Sequence, residues 1–166
     1  MFKQTDVTEL SENFIKAISN EWMLIAAGDE NKYNMMTASW GFVGEMWSKH
    51  CAIAAIRPSR YTKEFVDSCD TFTLSFYGDE AKSTIHAVCG RQSGREIDKA
   101  TACGLTPVFS DGGVYFDKAR LVLVCKKLYT SKMEPEKIVD KSIEKFYEND
   151  YHEFYIGEIT ACYVNE

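Results

Sequence analysis

The sequence predicts a mainly β protein, a largely antiparallel barrel with short helices at its periphery. Short apolar or alternating segments, which are typical of strands, recur along the chain and are separated by turn residues. Helical patterns lie between some of these segments but do not alternate strictly with them, which argues against a doubly wound parallel sheet. The chain of 166 residues has no repeat and no linker, so we predict a single domain over residues 1–166.

Six or seven strands are expected, and two segments carry the clearest signals. Cys51 to Ile56 is an apolar run that is too short for an ordinary helix, and Ser110-Asp-Gly-Gly113 between two short runs predicts a hairpin. Thr71 to Tyr77 alternates hydroxyl and apolar side chains, as a half-buried strand does. The candidate segments in chain order are residues 22–27, 34–43, 51–57, 71–77, 106–109 with 114–116, 119–129 and 154–164.

Four amphipathic helices are expected between the strands. Asp6 and Glu9 have the spacing of a capping box before a helix over residues 7–19. Pro58 disfavours helix at the residue before it, so the next helix begins after Pro58 and continues to Cys69. The third helix is expected over residues 80–89. The fourth is expected to begin at Pro135, and its apolar face contains Ile138, Val139, Ile143 and Phe146.

Charge and composition exclude several classes of partner. The net charge is −6 and no basic block is present, so we expect no nucleic-acid partner. The first residues do not have the order of a signal peptide, and no apolar run approaches ~18 residues. We therefore expect a cytoplasmic protein that does not enter a membrane.

The six cysteines form no CxxC pair and lie in apolar or helical segments, so we interpret them as small buried hydrophobic residues. Cys89 stands beside the loop that starts at Gly90, and it is the cysteine for which we consider reactivity. His50, His86 and His152 do not have the spacing of metal ligands, so no metal site is predicted.

The stretch from Asn34 to Thr62 carries the strongest signal of a ligand site. Its end combines cations with hydroxyl donors where a short helix begins: Arg57, Ser59, Arg60, Tyr61 and Thr62. Because neither GxGxxG nor a P-loop is present, hydroxyls and arginines must hold any phosphate. The combination suits a phosphate that carries a flat aromatic body, although a charged loop with a capped helix would give the same pattern. Trp40 equally suits a core aromatic residue.

Five segments in order resemble the flavin-reductase-like FMN-binding split barrels, flavoredoxins in particular. They are NMMTASW, IRPSRYT, FTLSFYG, GRQSGREIDK and YHEFYIGEI, which begin at residues 34, 56, 72, 90 and 151. The resemblance runs from Val7 to Val164. It implies a dimeric antiparallel split β-barrel with FMN near the subunit interface. Electrons would pass from a nicotinamide nucleotide or a redox protein to an acceptor.

The resemblance also implies which residues contact FMN. Thr37, Ser39 and Trp40 would line the flavin, and Ser75 and Phe76 would lie along the isoalloxazine edge. The phosphate and ribityl contacts implied by the same comparison are Arg57, Ser59, Tyr61 and Thr62. The second loop of the family matches Ser93, Asp98 and Lys99.

These inferences lead to an FMN-dependent oxidoreductase that works as a homodimer, with NAD(P)H as hydride donor. The cofactor would supply the chemistry, so no catalytic side chain is assigned; Trp40 and Lys99 are expected to tune the flavin. One alternative is a flavoredoxin-like electron carrier with FMN but without direct NAD(P)H activity. Another is a flavin-free module for a different planar ligand, such as a tetrapyrrole.

Overall fold

An eight-stranded antiparallel sheet forms the body of the structure, a computed structural model that describes residues 1–165. The strand order is β3-β2-β6-β9-β10-β5-β4, and β1 also pairs with β10. The strands of this sheet are β1 (Phe2–Thr5), β2 (Met23–Gly28), β3 (Tyr33–Ala38), β4 (Gly41–Met46), β5 (Lys49–Ile56), β6 (Thr71–Phe76), β9 (Leu121–Lys132) and β10 (Glu153–Asn165). A separate hairpin consists of β7 (Pro107–Ser110) and β8 (Gly113–Phe116).

Strand β10 closes the sheet by pairing on both of its edges. One edge pairs with β9 along almost the whole strand. The other edge pairs with β5 over residues 153–158 and with β1 over residues 162–165. Bulges after Ile156 and Ile159 bend β10 between these partners.

The helices are short and lie beside the sheet. They are α1 (Phe14–Lys16), which continues as a π-helical turn over Ala17–Glu21, α2 (Thr62–Ser68), α3 (Ile85–Arg91) and α4 (Lys99–Cys103). Helix α2 lies where residues 61–69 predict it. The helix predicted over residues 80–89 is a 3₁₀ turn, Asp79–Ser83, followed by α3.

Two predicted helices are wrong. In place of the helix over residues 7–19, the chain forms a 3₁₀ turn, Val7–Glu9, and the separate helix α1. Asn13 caps α1, because its side chain accepts from the backbone N–H of Lys16. The segment from Pro135 forms two 3₁₀ turns, Pro135–Lys137 and Lys141–Phe146. In both segments, Asn or Asp side chains bind nearby backbone N–H groups and compete with a continuous helix.

The central strands β2 and β9 are buried on both faces, because their alternate residues enter two different apolar clusters. One cluster contains Ile25 and Leu123, and the other contains Leu24 and Val122. Residues 72–76 of β6 are all buried, so the prediction of a half-buried strand is wrong. The hydroxyl of Thr73 is accommodated because it donates to the carbonyl of Val114 at 2.6 Å, in the hairpin that covers β6.

The strand predicted over residues 34–43 is two strands with a break at Ser39 and Trp40. Gly41 starts β4 so close to β5 that a Cβ atom there would lie 2.7 Å from the carbonyl oxygen of Ile53. Only glycine allows this approach without displacing backbone. The break brings Ser39 and Trp40 to the wall of a cavity.

Candidate functional site

A cavity of about 170 Å³ lies where β3 and β5 end. Its walls combine hydroxyl, guanidinium, imidazole and indole groups with backbone. The lining residues are Met36, Thr37, Ala38, Ser39, Trp40, Ala55, Arg57, Arg60 and His152. The structure thus brings together four of the predicted site residues: Thr37, Ser39, Trp40 and Arg57.

A second cavity of about 480 Å³ shares Ser39, Trp40, Ala55 and His152 with the first. Its remaining walls are mostly apolar and include Phe14, Ile15, Ile18, Phe42, Val43, Ile53, Met133, Tyr147 and Phe154. A polar, cationic cavity and an apolar one therefore meet at Trp40 and His152.

Arg57 and Arg60 face the smaller cavity without a carboxylate partner. Arg57 donates to the carbonyl oxygens of Phe146 at 2.8 Å and Asp150 at 3.1 Å, and its guanidinium lies 5.0 Å from the ring centroid of Tyr147. Arg60 donates to the carbonyl oxygen of Gly90 at 3.1 Å. Within residues 1–165 neither arginine forms a salt bridge. Guanidinium groups without a carboxylate partner are the type of donor that anions bind in proteins.

His152 lines both cavities, although the sequence analysis does not include it among the site residues. It is 7% exposed and its Nδ1 lies 2.9 Å from the hydroxyl of Tyr147, while its ring lies 5.3 Å from that of Trp40. Burial, followed by the positive charge of Arg57, lowers the pKa of His152 to about 4, so the imidazole is neutral at pH 7. The pairing of Glu153 with Ile56 explains its position, because residue 152 then lies beside residue 57.

A third cavity, of about 390 Å³, shares no lining residue with the first two. It is lined by Met35 and Tyr61, the neighbours of Met36 and Arg60, and by Asn34, Asp98 and Lys99 among others. It therefore contains three further predicted site residues, Tyr61, Asp98 and Lys99.

Lys99 and Thr62 are buried next to this third cavity and already have protein partners. The ammonium of Lys99 donates to the carbonyl oxygens of Met35 at 2.9 Å and Cys89 at 3.0 Å. Burial lowers its pKa. The hydroxyl of Thr62, which is 1% exposed, accepts from the side-chain amide of Asn34 at 2.9 Å. Lys99 is therefore bonded to backbone within the cavity wall, and Thr62 supports the wall through Asn34.

Asp98 and Ser93 serve the loop before α4. Asp98 caps this helix, because its carboxylate accepts from the backbone N–H of Thr101 at 3.1 Å and from the hydroxyl of Thr101 at 2.7 Å. The hydroxyl of Ser93 accepts from the backbone N–H of Arg95 at 3.2 Å. Both side chains therefore have a structural partner in the loop that the resemblance assigned to the cofactor.

Three predicted cofactor contacts are blocked in this structure: Ser75 and Phe76 have no exposed surface, and the donors of Ser59 are occupied. Ser75 and Phe76 are 0% exposed, because β6 is covered on both faces. Ser59 donates from its hydroxyl to the carboxylate of Asp150 at 2.5 Å and from its N–H at 3.2 Å. A phosphate at Ser59 would meet that carboxylate, so the phosphate contact expected from Ser59 is not supported by the geometry.

The donor set fits a phosphorylated planar cofactor such as FMN. Arg57 and Arg60 supply cations for a phosphate, the hydroxyl of Ser39 supplies a hydrogen-bonding group, and Trp40 with the apolar cavity supplies flat contact area. The hydroxyl of Thr37 already lies 3.1 Å from Nδ1 of His86 and 3.3 Å from the carbonyl oxygen of His86. Within residues 1–165, no group of three His, Cys, Asp or Glu side chains is arranged to hold a metal ion. None of the helices in the same range is long and apolar enough to span a membrane.

The fold and the cavities define an antiparallel barrel in which a cavity lined by two arginines adjoins an apolar one. The chain belongs to the family of the flavin reductase like domain, whose family model matches residues 15–166. No curated protein sequence is significantly similar to the chain.

Solved structures confirm the predicted split-barrel fold. A flavoredoxin from Methanosarcina acetivorans is 20% identical with a TM-score of 0.69, and the match covers 88% of this chain and 69% of that chain. A protein with a split barrel domain from Shewanella frigidimarina is 21% identical with a TM-score of 0.68, over 92% and 72%. The styrene monooxygenase flavin reductase from Pseudomonas putida S12 is 16% identical with a TM-score of 0.65, over 93% and 88%.

Proposed function

We propose that this protein is an FMN-dependent oxidoreductase that passes a hydride from NAD(P)H, through FMN, to a small-molecule or redox-protein acceptor. The observation that carries the proposal is the pair of arginines without carboxylate partners, Arg57 and Arg60, at a cavity bordered by Trp40. Membership of the flavin reductase like family supports the choice of flavin among planar phosphorylated ligands.

The side chains of the site would bind and orient the cofactor. Arg57 and Arg60 would hold its phosphate, and the hydroxyl of Ser39 would bind one of its polar groups. FMN, when bound, supplies hydride acceptance and electron release. The neutral imidazole of His152, fixed through Nδ1 by Tyr147, would present Nε2 as a hydrogen-bonding group towards the cavities. The apolar cavity would exclude water from the transfer.

A comparison of FMN with riboflavin tests the phosphate site, since the two share the ring system and only FMN carries the phosphate. Purified protein is titrated with each flavin, and quenching of flavin fluorescence gives the two dissociation constants. We expect FMN to bind at least about tenfold more tightly, because two guanidinium groups would bind the phosphate. Equal affinity for both flavins, or no binding of either, would overturn the proposal.

An electron carrier without direct NAD(P)H activity is the second candidate, because two of the similar structures are flavoredoxins. Steady-state oxidation of NADH and NADPH by the FMN-loaded protein, with excess free FMN as acceptor, separates the two functions. A reductase turns over repeatedly, whereas a carrier oxidises almost no nicotinamide but still accepts electrons from dithionite. The same assay gives the preference between NADH and NADPH.

We also propose that the working form is a homodimer. Two apolar side chains at the larger cavity, Ile15 and Phe42, are 83% and 67% exposed. A second copy would cover this surface next to Trp40 and His152. Light scattering of the Phe42→Asp variant should report a monomer, while Val139→Asp, at an apolar residue that is 96% exposed and outside this cavity, should remain dimeric. A monomeric wild-type protein would contradict this proposal.

A further inference from the structure

Two cysteines from different helices are in contact beside the site. Cys89 belongs to α3 and Cys103 to α4, and their Sγ atoms are 3.8 Å apart. We propose that a hydroperoxide converts Cys89 and Cys103 into a disulfide, and that this bond weakens binding of the cofactor. The second part of the inference rests on the proposed function, whereas the first part does not.

The surroundings of the pair suit closure into a disulfide. The sulfur atoms must approach from 3.8 Å to the ~2.05 Å of a disulfide, which requires a shift of about 1.8 Å. Helix α4 has five residues and ends at Gly104, in the left-handed conformation with φ +60°. A single helical turn next to a glycine can move by this distance without breaking the central sheet.

The two thiols differ in their access to solvent. Cys89 is 1% exposed, whereas Cys103 is partly exposed, so an oxidant from solvent reaches Cys103 first. Burial raises the pKa of Cys89 to about 12, and this thiol therefore remains protonated at neutral pH. Cys103 is therefore oxidised first. Cys89, the cysteine for which the sequence suggested reactivity, then closes the bond.

The reaction takes place in two balanced steps. The thiolate of Cys103 attacks one oxygen of hydrogen peroxide; the O–O bond breaks, hydroxide leaves and becomes water, and Cys103 becomes a sulfenic acid. The Cys89 sulfur then attacks the sulfur of Cys103 and forms the S–S bond. The departing hydroxide takes the Cys89 proton as water. In sum, two thiols are oxidised to one disulfide, and one peroxide is reduced to two waters.

The end of α3 connects this pair to the candidate site. The carbonyl oxygen of Cys89 accepts from Lys99, and that of the next residue, Gly90, accepts from Arg60. Gly90 also packs against Thr37, since a Cβ atom on Gly90 would lie 3.4 Å from the Cβ of Thr37. Because the disulfide draws Cys89 and Cys103 together, the end of α3 shares the shift with α4 and displaces Arg60 and Thr37, two residues of the smaller cavity.

The disulfide is tested on the purified, flavin-free protein treated with hydrogen peroxide. Intact mass should fall by two hydrogen atoms, and trypsin without reductant should release residues 83–91 linked to residues 100–118. Cys89→Ser and Cys103→Ser should each abolish the link, while Cys69→Ser, at another partly exposed cysteine, should retain it. If Cys89→Ser folds poorly, the wild-type peptide map still decides. Six free thiols after treatment, or a different linkage, would overturn the inference.

The consequence for the cofactor is measured by titrating FMN into reduced and oxidised protein. Oxidation should raise the dissociation constant about tenfold, the scale of one lost charge-assisted hydrogen bond, and dithiothreitol should restore it. In Cys103→Ser, peroxide should leave the FMN affinity unchanged. A disulfide that forms without changing the affinity would refute the coupling, whereas failure of FMN to bind even the reduced protein would refute the proposed function and leave the peptide map valid.

Discussion

Arg57 is expected to have two separable roles, and the Arg57→Ala variant tests both. Its guanidinium binds two backbone carbonyl groups in the segment before His152 and lies over the ring of Tyr147. At about 1 kcal/mol for each of two partly exposed hydrogen bonds, the variant should lose roughly 2 kcal/mol of unfolding free energy. Loss of one cation from a phosphate should weaken FMN binding by about 1–3 kcal/mol, which is roughly 5- to 150-fold.

Two measurements separate these roles. Urea unfolding of the flavin-free protein gives the stability, and quenching of FMN fluorescence gives the affinity at low and high salt. Arg60→Ala is the matched control, because Arg60 makes a single hydrogen bond, to Gly90, and should cost less stability with a similar loss of affinity. If both variants are folded and bind FMN as tightly as the wild type, the arginines do not form the phosphate site.

Two further predictions concern stability. Burial is the main reason why the pKa values of His86 and His152 are lowered from 6.5 to about 4. Between these pH values the unfolded state binds more protons than the folded state, so stability is lost as the pH falls from about 6.5 towards 4. The loss of unfolding free energy over this pH range should be on the order of 3 kcal/mol for each histidine. His86→Asn should therefore flatten the pH dependence of the unfolding free energy, and an unchanged slope would contradict this. Gly157→Ala should lower the unfolding free energy by about 1–3 kcal/mol, because the new Cβ would lie 2.8 Å from both Cys125 and Phe72; a variant with the urea midpoint of the wild type would disprove the overlap.

Local patterns in the sequence predict those parts of the fold that depend on neighbouring residues. The hairpin at Ser110 to Gly113 is one, because Asp111 and Gly112 adopt the positive φ angles, 51° and 75°, that a tight two-residue turn requires. The burial of Thr73 could not be predicted in this way. Its hydroxyl is satisfied by the carbonyl of Val114, which approaches only after the hairpin has folded over β6.

In the candidate site, too, local sequence patterns predict only those features that depend on residues close together in the chain. Trp40 and Arg57 are found from the residue types in one stretch of chain and from the resemblance. His152 lies beside Arg57 only because of the register between β10 and β5, which no local pattern reports. Ser59 has the composition of a phosphate ligand, but its donors are taken by Asp150, a residue that is distant in the sequence.

The pairing of β10 on both edges has a consequence for folding during synthesis. Phe2 lies opposite Asn165, so β1 cannot pair with β10 until the last described residues have left the ribosome. A nascent chain that stops before residue 153 lacks the strand that joins β9 to β5, and it leaves their edges unpaired. Such a chain can fold local hairpins, but it is prone to associate through those edges. The smaller cavity, which His152 and Arg57 line together, is therefore completed only when β10 has paired with β5.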